Sequence, residues 1–219
     1  MRLPPQSTTA SFDVDAQQTF SPLCPSELPV PGGDEIVGAL NAQAELASAR
    51  LGSKDAHSPK AIWVTDDPSK IGAPGVAGDN VEEHWPVHAV PGTAGFELLP
   101  DLPRPVDYDF FVWKGVELDM HPYGACYHDI AETMSTGVIE WLRAREITDV
   151  LVGGLATDYC VKATALQLAK AGFTTHLNLA ACRGISAETT REAIEQMRAT
   201  GVQILDDLSS LKPKSEPAA

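Results

Sequence analysis

Cys160 ends a run that reads Asp149-Val150-Leu151-Val152-Gly153-Gly154-Leu155-Ala156-Thr157-Asp158-Tyr159-Cys160, and an alanine-rich stretch carries on from it to Gly172. The short apolar run, the glycine pair and the amphipathic stretch predict a buried strand, a tight turn and a helix. Thr157 and Asp158 are helix-capping types, which would put Cys160 in the first helical turn. There the free amides and the positive end of the helix dipole favour thiolate over thiol, the state needed for nucleophilic attack. By residue type alone, a cysteine in such a place serves equally as a small buried hydrophobe.

Four other places hold residues able to do chemistry. Asp13 and Asp15 stand at the end of an apolar strand, Ala10 to Asp15, where a carboxylate is costly without a task or partner. An aspartate there can also simply cap the next turn. Asp55 and His57 lie two apart, so in extended chain they project to one side as a short metal-binding pair. His84 and His88 have helical spacing, but Pro86 between them argues against a helix, so they are not expected to act together. Lys114 follows a strand read at Tyr108 to Trp113, a place where most lysines are surface charges.

The elements that must position these groups alternate between strand and helix. A helix is predicted from Asp34 to about Leu46, another from Ile130 to Arg145, and a third from Ala187 to Thr200. Strands are predicted at Thr174 to Leu179 and Val202 to Leu205. This alternation implies an α/β fold of three layers, an open and mostly parallel sheet with helices on both faces. Ligands of such sheets sit beyond the carboxyl ends of the strands, where Asp15, Asp55, Lys114 and Cys160 all fall.

The 219 residues suit one domain, set at 10–211, with a loose arm at 1–9 and a disordered tail at 212–219. Thirty acidic against 16 basic residues give a net charge of −14, and no basic cluster offers itself to nucleic acid. No apolar run approaches the length of a membrane span, and the N-terminus lacks the hydrophobic core of a secretion signal. The four cysteines form no Cys-x-x-Cys pair, so free thiols in a cytoplasmic protein are expected.

The string Gly-Gly-Leu-Ala-Thr-Asp-Tyr-Cys-Val-Lys-Ala-Thr-Ala closely resembles the nucleophile loop of nicotinamidases, within the isochorismatase-like cysteine hydrolases. Further motifs extend the resemblance over roughly residues 10–205: Asp15-x-Gln17-x-x-Phe20, Asp55-x-His57, Trp85-Pro86-x-His88 followed by Gly92-Thr93-x-Gly95, and Lys114-Gly115. It implies a rossmann-like sheet and a catalytic set of Asp15 as base, Lys114 and the nucleophile Cys160. It also implies an oxyanion hole at the amides of Ala156 and Cys160, with a cis peptide at Leu155–Ala156. Substrate contacts would come from Phe20, Trp85, Tyr123 and Leu155. Asp55, His57 and His88 would bind one divalent metal, with zinc first and manganese or iron also suited to two imidazoles and a carboxylate. The implied activity is hydrolysis of nicotinamide to nicotinate and ammonia in NAD salvage; the implied partner is that small molecule, with room for a homo-oligomer.

Another amidase or an isochorismatase of the same fold is the alternative, and the metal set distinguishes against it. The resemblance also selects among open readings. It favours Asp15 over Asp13, and it takes Ser48 to Ser53 as a core strand although Ala61 to Thr65 has the stronger propensity. Residues 58–83 then become a surface excursion. His84, His121 and His128 are assigned to the surface.

Overall fold

The computed structural model describes residues 5–75 and 78–211. Among them, six strands form one sheet: β1 (Thr9–Val14), β2 (Ala49–Asp55), β3 (Phe110–Lys114), β4 (Asp149–Leu155), β5 (Thr174–Arg183) and β6 (Gln203–Leu205). Their order across the sheet is β3-β2-β1-β4-β5-β6, and every pairing is parallel. The chain winds outward one way from β1 and the other way from β4. The crevice between these two strands is therefore the place where a ligand can enter.

Helix α1 (Val37–Ala44) covers one face, packing Leu40 with Ile36, Leu155 and Ala181. Helices α2 (Val138–Ala144), α3 (Lys162–Lys170) and α4 (Ala187–Ala199) cover the other. Val138, Leu142, Ala165, Leu168 and Met197 form a core there with Phe12, Val14, Val150 and Val152. Strand alternation explains the split: Phe12 and Val14 face α2 to α4, while Asp13 between them faces α1. Only glycine suits position 154. Its φ is +134°, and a Cβ would lie 1.9 Å from the carbonyl oxygen of Val14. The two central strands close on each other through that gap.

Several boundaries differ from those expected. Helix α1 is preceded by a 3-10 turn, Gly33–Ile36, and stops at Ala44. The predicted helix over 130–145 is a helix only from Val138, because the Asp129 carboxylate accepts the N–H groups of Thr133 and Met134 and fixes a turn first. The second core strand lies at 49–55, as the resemblance implied, and the stronger β-former at 61–65 is no strand. Residues 6–8 form a 3-10 turn and Thr9 already belongs to β1, so the end of the expected arm starts a central strand of the sheet. The expected tail at 212–219 lies outside the described residues. No helix among the described residues is long and apolar enough to cross a membrane.

The competitor aspartate has a structural place. Arg50 lies 2.6 Å from the Asp13 carboxylate through Nη2 and donates to it from Nε at 2.8 Å, and the Tyr108 hydroxyl donates at 2.9 Å. Asp13→Asn leaves a mostly buried guanidinium without its counter-charge. It is expected to lower unfolding stability by about 2–3 kcal/mol, somewhat less than for a fully buried pair, while turnover persists. Urea denaturation alongside an activity assay reads both. A stable but inactive variant would put Asp13 in the reaction instead.

Candidate active site

Three strand ends deliver the charged groups. Asp15 is the first residue beyond β1 and has the left-handed φ of +44°, uncommon for a residue with a side chain and a frequent mark of functional sites. Asp55 ends β2 and Lys114 ends β3, and the two are register partners. The Lys114 ammonium donates to Asp55 Oδ1 at 2.5 Å and to the Pro122 carbonyl at 3.0 Å; it lies 3.0 Å from Asp15 Oδ2. It also donates to Cys160 Sγ at 3.7 Å. Asp15 Oδ1 accepts from Ser53 Oγ at 2.7 Å, whereas Oδ2 has no aligned hydrogen bond and stays available to a proton from the thiol.

Every one of these groups is buried. Burial opposes the Lys114 cation, yet the carboxylates of Asp15 and Asp55 hold its pKa well above that of an ordinary lysine. Burial likewise raises Asp55, but Lys114 and His57 overcome it and hold that carboxyl well below the usual range. For Asp15 burial outweighs the pull of Lys114, and its pKa is raised. Burial also pushes the Cys160 thiol up, with Lys114 acting against it.

Cys160 sits in a π-helical turn, Thr157–Val161, before α3. Asp158 does not cap this helix; its carboxylate accepts N–H groups of Ile185 and Ser186 and the Thr189 hydroxyl, tying down the entry to α4. The arrangement is a thiol held beside a carboxylate made more basic by burial, which suits proton transfer as the sulfur attacks. The peptide Leu155–Ala156 is cis.

A cluster of imidazoles adjoins this set. His57 and His88 are buried, with ring centroids 4.7 Å apart. His57 Nδ1 lies 2.8 Å from the Gly115 carbonyl and His88 Nδ1 2.8 Å from that of Pro86, so each donates from Nδ1 and keeps a lone pair on Nε2. His57 Nε2 is 3.4 Å from Asp55 Oδ1. Burial, then the neighbouring His57, lowers His88 to about 3, which keeps it neutral. His57 Nε2 is buried without a hydrogen-bond partner. Imidazole nitrogens beside a carboxylate fit a divalent cation. Gly115 permits the approach: its φ is +67°, and a Cβ there would lie 2.3 Å from the His57 ring.

His121, expected at the surface, is 4% exposed and belongs to the same cluster. Trp63, from the supposed surface excursion, is fully buried and packs on it at 4.4 Å, and on His57 and His88 at 4.8 and 5.4 Å. No periodic signal marks either residue, because loops supply both. His84 is half-buried, with Nδ1 3.2 Å from the Trp63 carbonyl, and His128 is half-buried as well.

Phe20, Trp85 and Tyr123 line a cavity of about 30 Å³ together with Cys160, His88 and His121. That is room for about one water. Tyr159, overlooked in the sequence, lines it too and meets Trp85 edge-on at 5.2 Å. Leu155, expected to touch substrate, is fully buried in the α1-side core with Ala16, Ile36 and Leu40 and is not among the cavity's lining residues. The strand's alternation points its side chain into the sheet's packing.

A family model described as Isochorismatase domain matches residues 9–207. The nicotinamidase of Acinetobacter baylyi is 30% identical over 210 residues, covering 93% of this chain and 94% of that protein. Among solved structures, a nicotinamidase/pyrazinamidase of Acinetobacter baumannii matches with a TM-score of 0.83 at 30% identity, over 94% of this chain and 99% of that one. The pyrazinamidase of Pyrococcus horikoshii in complex with zinc matches with a TM-score of 0.71 at 28% identity, over 90% and 98%.

Proposed function

The chain belongs to the isochorismatase domain family, and from that premise we propose that it is a nicotinamidase, hydrolysing nicotinamide to nicotinate and ammonia. The observation that carries this reading is the contact of Asp15, Lys114 and Cys160 beside an aromatic-walled cavity that also meets neutral imidazoles. The relatives named nicotinamidase support the choice of amide.

Cys160 Sγ attacks the amide carbon while Asp15 takes the thiol proton. Lys114 keeps Asp15 ionised until then and holds the charge of the pair in place. The backbone amides of Ala156 and Cys160 receive the developing oxyanion. Asp15 returns the proton to the leaving nitrogen, so ammonia departs and a thioester remains. Water, deprotonated by Asp15, then attacks the thioester, and the proton goes back to the sulfur as nicotinate leaves. Phe20 and Trp85 hold the ring between them, and Tyr123 closes the cavity. Asp55, His57 and His88 would hold one divalent cation, zinc first with manganese or iron as alternatives, which supplies a Lewis acid for the ring nitrogen.

Stacking alone accepts any flat ring, so the directional demand for a ring nitrogen separates nicotinamide from benzamide. Loss of such an interaction in a closed pocket corresponds to a preference of about 10²-fold or more. Nicotinamide is expected to release ammonia faster than benzamide by that factor, and His88→Ala is expected to erase most of the difference together with bound metal. Parallel ammonia assays and metal analysis of both proteins test this. Equal rates on the two amides in the wild type would sink the substrate assignment.

A further inference from the structure

Resting on the metal reading above, we propose that His121 is a fourth protein ligand of the same ion, beside Asp55, His57 and His88. His121 is 4% exposed, and neither ring nitrogen has a hydrogen-bond partner. Leaving two polar atoms of one ring buried and unpaired is costly, so the arrangement calls for a bonding partner. The surroundings offer none of the ordinary kind. Trp63, Trp85 and Tyr123 present ring surfaces to it, with centroids at 4.4, 6.4 and 5.1 Å. The remaining neighbours are His57, stacked at 4.8 Å, and His88 at 5.9 Å.

One ligand nitrogen from each of His57, His88 and His121 lies within 4.8 Å of the others. Nitrogens bound to one ion at about 2.1 Å stand about 3.0–3.6 Å apart, or about 4.2 Å for a single opposed pair, so the three rings reach a common centre by closing by about 1–2 Å. The loop carrying His121 is held from outside the catalytic set. Its backbone N–H donates to the Asn80 carbonyl at 2.8 Å, and Trp63 Nε1 donates to the Met120 carbonyl at 3.2 Å. Trp63 and Asn80 therefore hold the ligand-bearing loop in place, and Trp63 also covers the imidazoles. A site with four protein ligands leaves fewer positions for water than one with three, and holds the metal more tightly.

A thiolate at position 121 tests direct bonding, because sulfur bound to cobalt(II) gives a near-ultraviolet charge-transfer band. In a Cys160→Ala background, so that the nucleophile cannot contribute, H121C loaded with cobalt(II) is expected to show that band. H121A is expected to lose metal affinity by at least ~100-fold in chelator competition, with an unchanged far-ultraviolet circular dichroism spectrum. X-ray absorption of the zinc-loaded wild-type protein needs no variant and is expected to show three imidazoles on the metal. Two imidazoles, or cobalt retained by H121C without the band, would overturn the proposal while leaving the three-ligand site intact. A wild-type protein that takes up no metal would overturn that site and this proposal together.

Discussion

Replacing Cys160 with alanine is expected to give a folded protein with no measurable ammonia release. The side chain is 5% exposed and packs against α3-side core residues, so removing one sulfur costs about a kilocalorie of stability and no architecture. Its loss removes the sulfur that Lys114 meets at 3.7 Å, and with it the covalent route. Alkylation gives a second readout. Cys126 and Cys182 are buried and, unlike Cys160, neither lines the cavity nor meets Lys114, so neither competes. Cys24 is more accessible but lies outside the cavity, and its modification is expected to be silent. Peptide mapping during inactivation should find loss of activity tracking modification of Cys160 alone. Inactivation that follows Cys24 would remove Cys160 from the mechanism.

Asp15→Asn is expected to lower kcat by about 10³-fold or more, within or above the usual range for a positioned acid–base group. Asparagine keeps the shape and can still meet Ser53, which now bonds Oδ1 at 2.7 Å. It cannot take a proton, and burial raises the thiol it would have to leave protonated. The lost step is acylation, so a rapid-quench burst of ammonia should disappear along with steady-state turnover. Asp13→Asn is the matched control, two residues away and bonded to Arg50 and Tyr108 rather than to the catalytic groups. If Asp15→Asn keeps even a tenth of the wild-type rate, another group is the base.

The chemistry was legible where function and local pattern coincide. Cys160 follows a strand and opens a helix, and Asp15, Asp55 and Lys114 each end a strand, so strand ends alone predict their convergence. The sheet was legible for the same reason, except at β2. There Ala49-Arg50-Leu51-Gly52-Ser53-Lys54-Asp55 has weak β-propensity and becomes a strand through its pairing with β1 and β3. Ala61 to Thr65 has the better composition but no neighbour to pair with along its length. Its tryptophan is spent on covering imidazoles. His121 was illegible because a histidine in an irregular loop carries no period, and only contacts with residues 57, 63 and 88, far off in sequence, show its burial.

The bare Cα of Gly115 has a bearing on how this enzyme could be altered. Lys114 is joined to it covalently, while the His57 ring sits against its face and hydrogen-bonds its carbonyl. Any side chain at 115 would therefore reach the catalytic cation through the main chain and the metal-facing imidazole through space. The two functions cannot be tuned separately from this position. A search for variants with new substrates has free choices at Tyr123, Tyr159 and Trp85 on the cavity wall, but position 115 is a single point through which two pieces of machinery vary only together.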